Sequence, residues 1–228
     1  MICIPIVATT SEGARERMAV ALPQADLVEL RLDFIEEIDL DTLLTAKKGR
    51  ILVTARREEE GGRFRGSETE RITLLCQAVR MGADLVDVEL GTDDALTDML
   101  VEEIHREGNH TKLIISYHDF GGTPPYGMLQ DLCNRCAARG ADIVKIATSA
   151  DSMKDNLTIL RLIAWAREKG QDIIALCMGK KGTISRVMAP LVGSYLTFAS
   201  LGEGEESAPG QLTAHEMQEI FRILGNES

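Results

Sequence analysis

The sequence predicts an α/β fold, a closed (β/α)8 barrel forming one domain over residues 1–228. Three observations predict it. Eight short apolar runs alternate with longer amphipathic stretches, a six-residue motif returns at a fixed spacing, and no linker or shift of composition divides the chain. Strands that read as near-continuous Val, Ile and Leu, with helices between them, belong to a parallel sheet covered on both faces.

The eight runs are Ile2–Ala8, Leu27–Asp33, Ile51–Arg56, Leu85–Leu90, Lys112–His118, Ile143–Thr148, Asp172–Met178 and Tyr195–Ser200. Between the third and fourth, Ser67 and Glu70 form a capping box, and Ile72, Leu75, Cys76 and Val79 follow on one helical face. Between the sixth and seventh, Met153, Leu157, Leu160 and Ala164 predict a second buried face. Gly82, Gly140 and Gly170 each follow a helical pattern, where a left-handed C-cap would sit. Two connections are long, Arg57–Gly66 and Gly202–Gln211, and in a barrel both lie at the C-terminal ends of strands.

The repeat separates a barrel from an open sheet. Ala25–Leu30 resembles Ala83–Val88, and both resemble Ala141–Ile146, at an offset of 58 each time. That offset is two units of 29, and eight such units make 232, close to the 228 residues present. The repeats fall on the second, fourth and sixth runs. Alternate strands of a TIM barrel supply the same interior layer, so the spacing fits.

Composition excludes several functions. Lys and Arg total 25 against 36 Asp and Glu, a formal charge of −11. Nucleic acid and anionic membranes both need cationic surface, so neither is an expected partner. No apolar run approaches the ~18 residues of a membrane span. Met1–Thr10 lacks the basic start and small-residue cleavage site of a signal peptide, so a cytoplasmic protein is expected. Five cysteines without framework spacing read as reduced core thiols.

The barrel interior is unexpectedly charged. Strand side chains alternate faces. Glu29 and Arg31 share the face opposite Val28, Leu30 and Leu32, and Asp87 with Glu89 do the same one repeat later. Lys145 takes the equivalent position on the sixth run, while Arg56 and His118 end the third and fifth. Buried charge is costly unless paired, so such a set implies a built site. Lys145 stands mid-strand among apolar residues. Desolvation and proximity to Arg31 and Arg56 would favour its neutral amine, which can attack a ketone to form a Schiff base. His118 beside it could shuttle protons. His105, His110 and His215 read as surface residues. Cys133 and Cys136 fall within a helix without a second ligand pair, so zinc is not expected. Gly179-Lys180-Lys181-Gly182 lacks P-loop spacing.

These residues, with their order, resemble the type I 3-dehydroquinate dehydratase family. The motifs are Glu29-Leu-Arg31-Leu-Asp33, Thr54-Ala-Arg56 with Glu60-Gly61-Gly62, Ser116-Tyr-His118-Asp-Phe, Val144-Lys145-Ile146, Met178-Gly179 leading to Ser185-Arg186, and Ser207-Ala-Pro-Gly-Gln211. The resemblance implies syn dehydration of 3-dehydroquinate to 3-dehydroshikimate in the shikimate pathway, without metal or organic cofactor. It implies Lys145 as imine-forming residue, His118 as proton shuttle and Glu60 as its carboxylate partner. It implies Glu29, Arg31, Arg56, Arg186, Ser207 and Gln211 around the substrate, and a homodimer; the Gly202–Gln211 loop is itself a candidate lid that would exclude water. The sequence departs from the family pattern in two places. Glu58 and Glu59 precede Glu60 and compete for its role, and Leu176 stands where a second methionine is expected. Two rivals share the same residues: a class I aldolase acting on a sugar phosphate, and a non-catalytic receptor for small anions.

Overall fold

The computed structural model describes residues 1–45 and 48–225. Its strands are β1 Ile2–Ile6, β2 Leu27–Arg31, β3 Ile51–Thr54, β4 Leu85–Glu89, β5 Lys112–Asp119, β6 Ile143–Ser149, β7 Asp172–Met178 and β8 Thr197–Phe198. They pair in parallel in the spatial order β7-β6-β5-β4-β3-β2-β1-β8. The last seam, between β8 and β7, is drawn together by the Tyr195 N–H donating to the Ile173 carbonyl at 2.7 Å. The helices are α1 Ser11–Ala21, α2 Leu40–Leu44, α3 Glu68–Arg80, α4 Asp94–Ile104, α5 Tyr126–Ala138, α6 Met153–Glu168, α7 Thr183–Leu191 and α8 Ala214–Ile223. The expected (β/α)8 barrel is therefore the fold.

The repeat has a structural cause at each end of its motif. Its aspartates close the bottom of the barrel. Asp26 accepts from the Ile2 amide at 2.6 Å, Asp84 from Ile51 at 2.9 Å, and Asp142 from Leu113 at 2.8 Å. Each even strand thus ties down the first amides of the odd strand beside it, which would otherwise lack a ladder partner. The fifth position of the motif, Glu29, Asp87 and Lys145, points into the barrel.

The interior is layered along the strands. Leu27, Leu52, Leu85, Ile114, Ile143 and Ile174 form an apolar floor with Cys3 and Leu196. Two residues further along the same strands stand Glu29, Thr54, Asp87, Ser116 and Lys145, all buried. Burying each large side chain of the floor stabilises the fold by ~1.5–3 kcal/mol and offsets part of the cost of the polar layer above. Val28, Leu30, Val86, Val88, Val144 and Ile146 take the other face and pack under the helices.

Local details follow the sequence in most places. Ser67 and Glu70 form the capping box of α3. Gly82, Gly140 and Gly170 follow α3, α5 and α6 with φ of 81, 90 and 77°. His105, His110 and His215 are exposed. Two expectations are corrected. The eighth run forms regular strand only at Thr197–Phe198, because Ser200 leaves β1 and bridges instead to Thr213. On α6 three of the four predicted residues face outward, Met153 58% and Leu157 67% exposed and Ala164 with them, while Leu160 packs against the core. The buried face is Asn156, Ile159, Leu162, Ile163 and Ala166. Asn156 turns the helix that way: its side chain donates to the Lys181 carbonyl at 2.8 Å and accepts the Ser185 amide at 3.1 Å. A polar residue anchoring the inner face is invisible to a count of apolar periodicity.

Candidate active site

A cavity of about 280 Å³ opens at the C-terminal ends of the strands. All nine residues singled out from the sequence line it: Glu29, Arg31, Arg56, Glu60, His118, Lys145, Arg186, Ser207 and Gln211.

Lys145 projects from β6 across the barrel. Its Nζ lies 2.8 Å from Asp87 Oδ2 and 3.7 Å from Glu29 Oε1, and 4.7 Å from the centre of the Phe198 ring. Arg56 stands close to this amine, since both donate to Asp87 Oδ2, but each nearby arginine is itself paired with carboxylate. Arg31 is turned to Asp33, at 2.9 and 2.8 Å. Arg56 is held by Asp87 at 2.7 Å, Glu89 at 3.0 Å and the Ser116 hydroxyl at 2.6 Å. Carboxylates are thus the nearest charges to Lys145, and each carboxylate is itself paired. Burial alone would raise the Asp87 carboxyl, but Arg56 and Lys145 outweigh it and hold that carboxyl far below the usual range.

His118 ends β5 against Glu60. The imidazole Nδ1 lies 2.9 Å from Glu60 Oε2, and the His118 backbone amide donates to the same oxygen at 3.0 Å. An accepting carboxylate fixes the proton on Nδ1 and leaves the Nε2 lone pair free. Burial lowers the imidazole pKa well below its usual value, and the positive Arg56 and Lys145 lower it further. The ring is therefore neutral and able to accept a proton. Burial raises the Glu60 carboxyl to about 7, with Arg56 opposing and Glu89 and Asp87 adding to the rise.

The chain makes this pairing through a tight return after β3. A 3₁₀ turn, Glu58–Glu60, ends at Gly61 in the left-handed region with φ 78°. A Cβ on Gly61 would strike the Phe120 ring, and one on Gly62 would strike the Arg56 carbonyl. Glu59 turns outward to Arg57 at 3.0 Å. Of the three consecutive glutamates, Glu60 is the one that reaches the histidine.

Arg186, on α7, is 1% exposed. Its guanidinium donates to the Pro209 carbonyl at 3.2 Å, and Nε has no partner among the described residues. Burial lowers its pKa to about 10, and no carboxylate among the described residues opposes that shift. A buried guanidinium without a paired carboxylate is costly, so this position suits an anion. The 202–211 loop closes over it. Pro209 accepts from the Gly179 amide at 3.0 Å, Gly210 from the Thr183 hydroxyl at 3.1 Å, and Gln211 Nε2 donates to Ser207 Oγ at 3.1 Å. The outer part of the loop is tied by Glu205 to Arg17 on α1 at 2.8 Å.

The comparisons with known proteins agree with this fold. The family model described as type I 3-dehydroquinase matches residues 2–228. The chain belongs to that family. It is 37% identical to a 3-dehydroquinate dehydratase of Methanococcus maripaludis over 225 residues, covering 99% of this chain and 100% of that protein. Among solved structures, it is similar to the type I 3-dehydroquinate dehydratase of Clostridium difficile. That structure contains covalently modified comenic acid, and the match has a TM-score of 0.90 and 30% identity, covering 98% of this chain and 91% of that one. The 3-dehydroquinate dehydratase of Geobacillus kaustophilus gives a TM-score of 0.88 at 32% identity, covering 100% and 91%.

Within this member of the family, sequence reasoning left several site residues without a role. Asp87 and Glu89 read as inward-facing, but their partners come from β5, β6, α3 and the segment after β3 and were not legible. Ser116 is a hub: its hydroxyl donates to Asp87 Oδ1 at 2.6 Å while accepting from Arg56. Thr54 donates to Glu29 at 2.8 Å and so holds the second carboxylate near Lys145. Phe198, Met178, Leu176 and Phe120 supply apolar wall. Leu176 fills the position where a methionine was expected, with only 4% of its surface exposed.

Proposed function

We propose that this chain is a hydro-lyase that dehydrates 3-dehydroquinate to 3-dehydroshikimate through a Schiff base on Lys145, in the shikimate route to aromatic amino acids. The observation that carries the proposal is a buried primary amine opening on the same cavity as a histidine backed by the Glu60 carboxylate at 2.9 Å. Membership of the type I 3-dehydroquinase family supports the substrate.

The chemistry follows from the groups. Lys145 loses a proton, and its lone pair attacks the substrate ketone. The carbonyl oxygen takes up that proton and one from the attacking nitrogen and leaves as water, giving a protonated imine. The imine is an electron sink, which makes the neighbouring C–H acidic enough for an imidazole. His118 Nε2 takes that proton and an enamine forms. Glu60 stabilises the resulting imidazolium, as the aspartate does in a serine-hydrolase triad. Collapse of the enamine expels the β-hydroxyl, protonated by His118 from the same face, as a second water. The water consumed in hydrolysing the imine frees Lys145 and the product.

Arg186 holds the substrate carboxylate, with Ser207 and Gln211 at its hydroxyls and Glu29, Arg31 and Arg56 completing the polar wall. Arg186→Ala should raise KM by the equivalent of ~2–5 kcal/mol, the usual cost of leaving a buried charge unpaired. Steady-state kinetics would show it. An unchanged KM would remove Arg186 from the carboxylate seat. A buried guanidinium with one backbone bond also argues against the aldolase reading, since no glycine-rich phosphate loop follows β7.

The five free, buried cysteines support a reducing, cytoplasmic setting. The outward stripe at Met153 and Leu157 supports a homodimer. Sedimentation velocity should then give twice the 25.0 kDa chain mass, and a monomer at micromolar concentration would refute it.

The deciding experiment for the function is borohydride reduction in the presence of 3-dehydroquinate, followed by peptide mapping. An adduct on Lys145 supports the amine, the substrate and the site together. No adduct on folded protein would defeat the Schiff-base reading, and a non-catalytic anion receptor would then account for the cavity.

A further inference from the structure

Arg71 lies outside the barrel wall, on α3, and does not line the cavity, yet it is completely buried. Its side chain passes between the ends of β3 and β4. Nη1 donates to Glu89 Oε2 at 2.6 Å and to the Ala55 carbonyl at 3.2 Å. Nη2 donates to Thr92 Oγ1 at 2.8 Å, and Nε and Nη2 grip Glu68 at 3.0 and 2.9 Å. Every nitrogen of this guanidinium is directed, which is the arrangement of a charge held in one position.

The chain of contacts runs inward from it. Glu89 gives one oxygen to Arg71 at 2.6 Å and the other to Arg56 at 3.0 Å. Arg56 passes to Asp87 at 2.7 Å, and Asp87 to Lys145 at 2.8 Å. Along this chain the cations Arg71, Arg56 and Lys145 face the anions Glu89 and Asp87, with Glu29 as a third carboxylate within reach of the lysine.

We propose that Arg71 is a positioning residue for Lys145, acting through Glu89, Arg56 and Asp87 to limit how strongly Asp87 holds the ammonium. The proposal rests on the Schiff-base reading. With Arg71 present, Glu89 has a second cation beside Arg56, so less of the Arg56 charge is drawn away from Asp87. Without it, Arg56 alone must serve both carboxylates. More of the Asp87 charge then falls on Lys145, which keeps its proton to higher pH and attacks the ketone more slowly. The other titratable groups facing this amine remain in place: Cys3 from β1, Glu29 from β2, and the His118–Glu60 pair from β5 and the turn after β3. Arg31 is already neutralised by Asp33, and Arg186 faces from α7.

The test is the initial rate of borohydride-trapped adduct formation with 3-dehydroquinate, followed from about pH 6 to 10. Arg71→Met should move the rising limb up by about one pH unit, a roughly tenfold slower rate near neutrality, with the full rate recovered at high pH. Arg71→Lys keeps the charge and should restore the wild-type limb. Glu89→Gln with Arg71 retained removes an anion instead and should move the limb down, which keeps the test valid if Arg71→Met does not fold. A loss uniform at every pH, or a limb unmoved in both variants, would reduce Arg71 to a structural role. If wild-type protein forms no adduct, the Schiff-base reading itself fails, and this proposal falls with it.

Discussion

Lys145→Ala should leave a folded barrel that no longer converts 3-dehydroquinate. The loss should exceed the ~10²–10⁴-fold typical of removing a general acid or base. Without the imine there is no electron sink, and His118 alone cannot remove a proton alpha to a ketone at a useful rate. Folding should survive because Asp87, the closest partner of the lysine, keeps Arg56 at 2.7 Å and Ser116 at 2.6 Å. The stability cost should be about 1–3 kcal/mol, that of a polar group losing one of several partners. At ~2–4 °C per kcal/mol for a chain of this size, the melting temperature should fall modestly. Appearance of the conjugated enone product measures turnover, and thermal unfolding measures the fold. Turnover near the wild-type rate would remove Lys145 from the reaction. Loss of the folded baseline would instead mark the residue as structural, and Lys145→Met, which keeps the apolar stem, would then separate the two.

The fold was legible because a barrel writes its order twice along the chain, in strand periodicity and in the spacing of equivalent positions. Asp26, Asp84 and Asp142 illustrate this: three residues at one offset perform one task, capping the adjacent strand. What could not be read were departures that depend on distant partners. β8 is short because Ser200 bridges to Thr213, and the rotation of α6 is set by Asn156 reaching Lys181 and Ser185. Neither contact leaves a periodic trace.

The candidate site divides along the same line. Inward-facing charges announce themselves through strand alternation, so Glu29, Arg31, Lys145 and His118 are legible in the sequence alone. Who neutralises whom is not. Strand order places Arg31 and Arg56 near Lys145, but each is consumed by carboxylates. Glu60 is separable from Glu58 and Glu59 only by its neighbouring glycines, and the turn geometry shows why that matters. Arg71 carries no signal, because an arginine on a helix face ordinarily lies in solvent. Burial of that guanidinium is visible only once Glu89 and Thr92 are seen beside it.

His118→Ala should separate imine formation from the proton transfers that follow. The variant keeps Lys145 and its carboxylates, so 3-dehydroquinate should still be trapped on the lysine by borohydride. Turnover should fall ~10²–10⁴-fold, and the imine should accumulate, because neither removal of the alpha proton nor departure of water has its shuttle. A variant that turns over normally would assign the shuttle elsewhere. The partner carboxylate adds a pH dependence with a definite sign. Glu60 is raised to about 7 by burial. Above that pH it is a carboxylate that fixes the Nδ1 proton and stabilises the imidazolium; below it the added proton removes that negative charge. In wild-type protein, kcat/KM should therefore decline as pH falls through about 7. His118 brings no compensating gain, since its lowered pKa keeps it neutral there. Glu60→Gln keeps a hydrogen-bonding side chain but cannot ionise, so it should lower kcat and abolish this limb. A limb that persists unchanged in Glu60→Gln would belong to another group. The two substitutions thus report on different atoms of one pair: His118→Ala on the imidazole proposed to meet the substrate, and Glu60→Gln on the charge behind it.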